Sequence, residues 1–261
     1  GGGGGGSGGH DTIGEDGGDV GNRRTTGAEV AGGQGRGPSA AATQPFAKWT
    51  DQKHTDRERY NLLAHDMRAL ARRLLICGLH VHVGIDDEDL RIDLMNQVSY
   101  FLPHLLALSA SSPFWEGENT GLMSYRLCIF DGLPRTGLPD QFESYAEYQR
   151  LVANMVSAGL IEDATKLWWD VRPSARFPTL ELRMTDVCTR LDDSLTIAAM
   201  FTCMLSMLTR LRKNNQRWRV YPRSLVNENR WLAQRHGPTQ GLVDFGKGVV
   251  TPYAELLEEL I

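Results

Sequence analysis

Two stretches of this chain alternate apolar and polar residues at the two-residue period of a strand. In Thr179–Asp186, Leu180, Leu182 and Met184 point one way, and Thr179, Glu181, Arg183 and Thr185 point the other. In Cys77–Gly84, Leu79, Val81 and Val83 share one face, and His80 and His82 share the opposite one. Gly121–Asp131 also reads as strand, with Tyr125 and Leu127 opposite Ser124, Arg126 and Cys128. Lys166–Arg172 reads as another, its adjacent tryptophans Trp168 and Trp169 facing opposite sides. Such strands pack their apolar faces on helices, which leaves the polar faces to water or to a site.

Helical spacing fills most of the intervals. A capping box, Thr55 with Glu58, opens a helix predicted to reach about Ile76, with Tyr60, Leu63, Met67, Leu70 and Leu74 on its core face. The acids Asp86, Asp87, Glu88 and Asp89 complement the start of a second helix, predicted to run to about Ala110 through Leu90, Leu94, Val98, Leu102, Leu105 and Leu106. Ser144–Gly159 is a helix that ends on glycine. Asp192 and Asp193 cap a long apolar helix whose basic end is Arg210–Lys213. Shorter helices are predicted over Ser224–Gln234 and from Pro252, with Asp244–Gly248 as a loop and Pro134–Gly137 as a turn.

Composition divides the chain in two. Residues 1–43 hold most of the 28 glycines and almost no large apolar residues, so ordering them costs entropy with nothing buried in return. A flexible tail is expected there, with one folded domain over residues 44–261 that begins near Pro45. The whole chain, 261 residues with 41% hydrophobic content and a formal net charge of −4, has the composition of a soluble globular protein. Cys77, Cys128, Cys188 and Cys203 are widely spaced and form no C-x-x-C pair, as in a reduced cytoplasmic protein. The opening residues lack the basic, apolar and cleavage regions of a secretory signal. The apolar run Leu195–Leu208 is interrupted by Thr196, Thr202 and Ser206, and a buried helix is expected instead of a membrane span. Arg217, Arg219 and Arg223 alternate with Trp218 and Tyr221, but helix-end electrostatics account for them without nucleic acid.

The polar strand faces carry the candidate chemistry. Glu181 suits a hard divalent cation, and Arg183 suits a pair of phosphate or carboxylate oxygens. His80 and His82 are spaced to place two imidazoles around a metal or a polyphosphate. A surface ion pair on a solvated face explains the same residues. So does a metal-dependent hydrolase built on Cys77, His80 and His82, with a metal-bound water as nucleophile.

The runs CGLHVHVGID, ALSASSPFWEG, TGLMSYR, LPRTGLP, WWDVRPS and FPTLELRMTD closely resemble the bacterial carboxylate–amine ligases of the glutamate–cysteine ligase type 2 family. The resemblance runs from about Pro45 to the C-terminus. It implies an α+β fold of the glutamine-synthetase kind: an antiparallel, curved sheet with helices on its outer face. ATP and Mg2+ would lie on the inner face, and a glutamate-like carboxylate and an amine such as cysteine would be the substrates. Under it Glu181, His80 and His82 would be metal ligands, and Arg183 and His82 would hold phosphate. Arg126, Arg135 and Arg172 would orient substrate, with Arg183, Arg172 and Arg126 as catalytic residues. The family's acidic N-terminal strand has no counterpart in the glycine-rich opening, and the last helix stops mid-pattern at Ile261. A fragment lacking that strand is therefore expected, with an open sheet edge that favours homo-oligomers, poor catalysis on its own, and a catalytically impaired remnant as a further alternative.

Overall fold

The structure is a computed structural model that describes residues 40–51 and 67–261. Most of the glycine-rich segment and the capping box at Thr55 and Glu58 lie outside the described residues. The first described helix, α1 (Ala69–Arg72), ends before the predicted Ile76. Its exit is set by pairing: Ile76 bridges Thr43, and the Cys77 amide donates to the Ala42 carbonyl at 2.8 Å.

Strand β1 (Val81–Gly84) follows, and then α2 (Glu88–Val98). Asp87 caps α2 by accepting from the Leu90 amide at 2.8 Å. The single helix predicted to Ala110 is divided by a 3-10 turn at Ser99–Phe101 from α3 (Leu102–Ser109). Pro103 has no N–H to donate to the preceding turn, so the helical ladder is interrupted there. A small hairpin, β2 (Phe114–Trp115) and β3 (Glu118–Asn119), leads into α4 (Tyr125–Phe130).

Helix α4 corrects the strand expected over Gly121–Asp131. Arg126, Leu127 and Ile129 are its buried residues. Over so few residues a two-residue and a 3.6-residue period are hard to separate, and burial of neighbours Arg126 and Leu127 satisfies only the helix. After β4 (Thr136–Gly137) comes α5 (Tyr145–Ser157), capped by Ser144 and ended at Gly159 with φ 70°. The predicted Lys166–Arg172 strand is split in two. Trp168 and Trp169 form β5 (Trp168–Trp169), parallel to β4, whereas β6 (Val171–Pro173) joins the main sheet. The break falls at Asp170, which is fully buried and whose carbonyl accepts from the Arg183 amide at 2.8 Å.

Strand β7 (Thr179–Leu182) leads to the long α6 (Leu191–Lys213), then α7 (Arg223–His236). A hairpin of β8 (Gly241–Asp244) and β9 (Val249–Pro252) surrounds the predicted loop, and α8 (Tyr253–Leu260) closes the chain. Gly241 lies so close to the Thr251 carbonyl that no Cβ would fit.

The central sheet has the order β1-β7-β6, with both pairings antiparallel. Helix α2 packs on β6 and β7, and α6 packs on β1. Leu180, Leu182 and Val171 therefore meet Ile92, Met95, Ile197, Phe201 and Leu205 in one core. Helix α6 is long and apolar enough to cross a membrane by length and composition. Here its stripe of Ile197, Phe201, Met204, Leu205 and Leu208 is buried, in keeping with the broken apolar run. The described residues thus form an α+β unit with an open antiparallel sheet.

Candidate active site

Register sets the site. His82 on β1 and Arg172 on β6 both stand opposite Glu181 on β7, so alternation carries all three to the same face. Arg183 and His80 lie two residues from Glu181 and His82, on that same side. The Glu181 carboxylate, only 3% exposed, is the centre. Its Oε1 accepts from Arg183 Nη1 at 2.6 Å and its Oε2 from Arg172 Nε at 2.8 Å. His80 Nδ1 is 3.3 Å from Oε1 and His82 Nε2 is 3.6 Å from it. The polar faces of the two alternating strands thus meet at this carboxylate.

Electrostatics follow from the packing. Burial opposes ionisation of Glu181, but the His80 hydrogen bond and the Arg183 and Arg172 guanidinium groups prevail and hold the carboxyl well below the usual range. His80 and His82 are both lowered, chiefly by burial, against the pull of Glu181. Burial and then Arg172 also lower Arg183. The cluster thus has a stable anion at its centre and reluctant cations around it.

Above this face is an open cavity of about 550 Å³. Lys166, Arg172, Arg176 and Arg183 supply four cationic side chains to its wall, against the carboxylates of Glu162 and Glu181. Arg183 Nε is buried without a hydrogen-bond partner. Trp168 and Phe177 add aromatic wall, while Trp169 packs in the core, so the two tryptophans divide their roles as their alternation implies.

The other predicted arginines stand elsewhere. Arg126 is 3% exposed, and its Nε donates to Asp186 at 2.7 Å. Its Nη2 donates to the carbonyls of Met184 and Thr185. Gly78 makes room for it, since a Cβ there would lie 2.9 Å from Arg126 Nη1. Arg135 donates to the Lys166 carbonyl at 3.1 Å and covers the Trp168 ring. Neither lines the cavity. Arg172 also donates through Nη1 to the carbonyls of Thr165 and Leu167, at 3.0 and 2.6 Å, which fixes the segment carrying Lys166 and Trp168.

Sequence reasoning missed Lys166, Arg176 and Asp186. Asp186 is fully buried and also accepts from the hydroxyls of Ser112 and Ser124 at 2.8 and 2.9 Å. Its signal is an acid closing a strand opposite the predicted polar face. Lys166 lies in a 3-10 turn, outside β5 although the sequence reads as strand from that residue, and Arg176 lies on a connection, where alternation gives no direction.

The donor set bears on metals. Among the described residues, no group of three or more His, Cys, Asp or Glu side chains is placed to hold a metal ion. Neither the Cys77, His80 and His82 set of the hydrolase reading nor the Glu181, His80 and His82 set that the family resemblance implies is therefore placed as a metal site. Magnesium favours oxygen ligands, and Glu181 offers a carboxylate whose two oxygens already face guanidinium groups. It fits magnesium only where another anion takes over those arginines.

A presumed glutamate–cysteine ligase 2 from Rhodospirillum rubrum is 64% identical over 251 residues, 96% of this chain and 64% of the relative. A like-named protein from Jannaschia is 58% identical over 243 residues, 93% and 64% of the two chains. One from Solibacter usitatus is 44% identical over 223 residues, 85% and 58%. The chain thus spans less than two thirds of these relatives' length. The family model described as glutamate-cysteine ligase family 2 (GCS2) matches residues 11–260, a match that begins within the glycine-rich segment. The chain belongs to the glutamate–cysteine ligase family 2.

Proposed function

We propose that this face is the phosphate-handling side of an ATP-dependent carboxylate–amine ligase, with a glutamate-like carboxylate and an amine such as cysteine as substrates. The observation that carries the proposal is Arg183, buried beside Arg172 over a cation-lined cavity with its Nε unpartnered. Planar guanidinium pairs suit phosphate and carboxylate oxygens. A carboxylate does not react with an amine in water, because its oxygen is a poor leaving group. Transfer of the terminal phosphoryl group of ATP to that oxygen releases ADP and forms an acyl phosphate. The amine then attacks the acyl carbon, phosphate leaves, and the nitrogen loses a proton. Arg183 and Arg172 would hold the transferred group, with Lys166 and Arg176 answering the remaining phosphate charge. When bound, magnesium would neutralise phosphate charge, with Glu181 as its protein ligand.

The histidines take a different part. Imidazole suits softer metals than magnesium, and both rings face Glu181. They orient that carboxylate, and His82, which lines the cavity, can also meet phosphate. Arg126 acts as a positioning residue that fixes the end of β7, and Arg135 supports Trp168. The glutamine-synthetase-like character of the full fold belongs to this proposal as well, supported by the open antiparallel sheet with helices on one face.

The test is phosphate release from ATP, measured with glutamate and cysteine added singly and together. Release that requires both supports the ligase. Release independent of the amine would favour a hydrolase.

A further inference from the structure

We infer that a second cavity, beside α5, binds a small neutral amino acid as its zwitterion. This cavity of about 200 Å³ lies between α5, the segment of Asp163 and Thr165, and the turn of Ser174 and Arg176 that joins β6 to β7. Pockets for drug-sized ligands run to roughly 300–1,000 Å³, so this one is of a size for a single amino acid. The assignment does not depend on the phosphate reading, which draws on the cavity over Glu181.

Helix α5 supplies the apolar wall. Tyr145, Tyr148 and Val152 are three and four residues apart and so share one helical face. Tyr148 is 3% exposed, and its ring packs on Phe142 and Trp169, which makes the wall an extension of the core. The Tyr145 hydroxyl accepts from Gln149 Nε2 at 2.7 Å, which orients its ring. Such a wall suits an aliphatic side chain, whereas a charged one would lose water against it without gaining a partner.

Two groups of opposite charge complete the site. Asp163 Oδ1 accepts from the Thr165 hydroxyl and, at 2.7 Å, from the Thr165 amide, and these bonds hold its carboxyl below the usual range. Its other oxygen has no partner among the described residues. The Arg176 guanidinium has none there either, since only the Arg176 amide donates, to Ser174 Oγ. Arg176 is near enough to favour the Asp163 anion, yet no ion pair joins the two. A ligand carrying both charges satisfies both groups, its ammonium on Asp163 and its carboxylate on Arg176. Thr165, Ser174, Ala175 and Arg176 also line the Glu181 cavity, so the occupant is placed to act on that cavity as an effector.

L-Valine is the probe, titrated calorimetrically into the whole chain. It is neither glutamate nor cysteine, so its binding does not report on the substrates of the ligase reading. Isovalerate lacks the ammonium and isobutylamine lacks the carboxylate. Each should bind about fivefold more weakly than valine, the upper size for an exposed ion pair. Val152→Trp fills the cavity and should abolish measurable binding. Asp163→Ser removes the charge but keeps an oxygen to cap the following turn, and it should weaken valine binding about fivefold. Circular dichroism checks folding; if Val152→Trp does not fold, Asp163→Ser decides. Absence of valine binding to the wild type would overturn the proposal, as would equal binding of the two analogues. Valine affinity unchanged in either folded variant would place the ligand elsewhere and overturn it too.

Discussion

Three buried carboxylates stand close together in the chain, and their partners separate structure from function. Asp170 is held by Arg230, whose guanidinium also donates to Asp131. Asp186 is held by Arg126, two serine hydroxyls and the Ser111 amide. Both are networks closed on the protein's own donors. Glu181, in contrast, lines an open cavity, next to a cation with an unpartnered nitrogen. Asp186→Ala should leave the Arg126 guanidinium buried without its counter-ion, at about 3–5 kcal/mol of stability. Urea unfolding measures it, and a loss below about 1 kcal/mol, the size of an exposed pair, would show that Asp186 carries little. The Glu181 face is legible in the sequence because alternation assigns each side chain a direction. Asp186 is not, because a buried acid departs from that alternation and its partner Arg126 lies 60 residues away.

At the scale of elements, apolar spacing locates α5, α6, α7 and α8 to within a few residues, and gives α2 and α3 as one helix. It fails where tertiary pairing decides the backbone. Spacing alone gives a strand in place of α4, a single strand in place of β5 and β6, and a loop without the β8–β9 hairpin around it. Helix α3 carries a consequence for pH. His104 is 3% exposed, and burial pushes it from 6.5 down to about 4. Tyr253 donates to the His104 carbonyl at 2.8 Å and so ties α3 to α8. Between pH 6.5 and about 4 the unfolded chain binds the His104 proton and the folded chain does not. Stability therefore falls as pH drops through that window, by about 3 kcal/mol at its lower end. His80 and His82 are lowered as well and act in the same direction. The stabilising ion pairs of Glu181 persist until far more acidic conditions, because its folded-state carboxyl is depressed. Chemical unfolding at pH 7 and pH 4.5 checks this, and His104→Leu should flatten the difference. An equally steep loss in that variant would assign the effect elsewhere.

At the scale of the whole molecule, helices cover one face of an open sheet and leave the other to a cation-lined cavity. That division follows from strands with one apolar and one functional face, an alternation compatible with the α+β class that the family resemblance implies. The cavity itself cannot, since Lys166, Arg176 and Phe177 come to it from connections whose course depends on the finished fold. Its proposed occupant is the phosphate chain of ATP, and Arg183 is the side chain on which that proposal depends. The most direct measurement is calorimetric binding of a non-hydrolysable ATP analogue with magnesium to wild-type chain and to Arg183→Gln. Loss of one well-placed guanidinium should weaken binding by roughly tenfold or more, consistent with a charged hydrogen bond worth about 1.5–3 kcal/mol, while the fold is retained. Equal affinities in the two proteins would contradict the assignment of this face to phosphate.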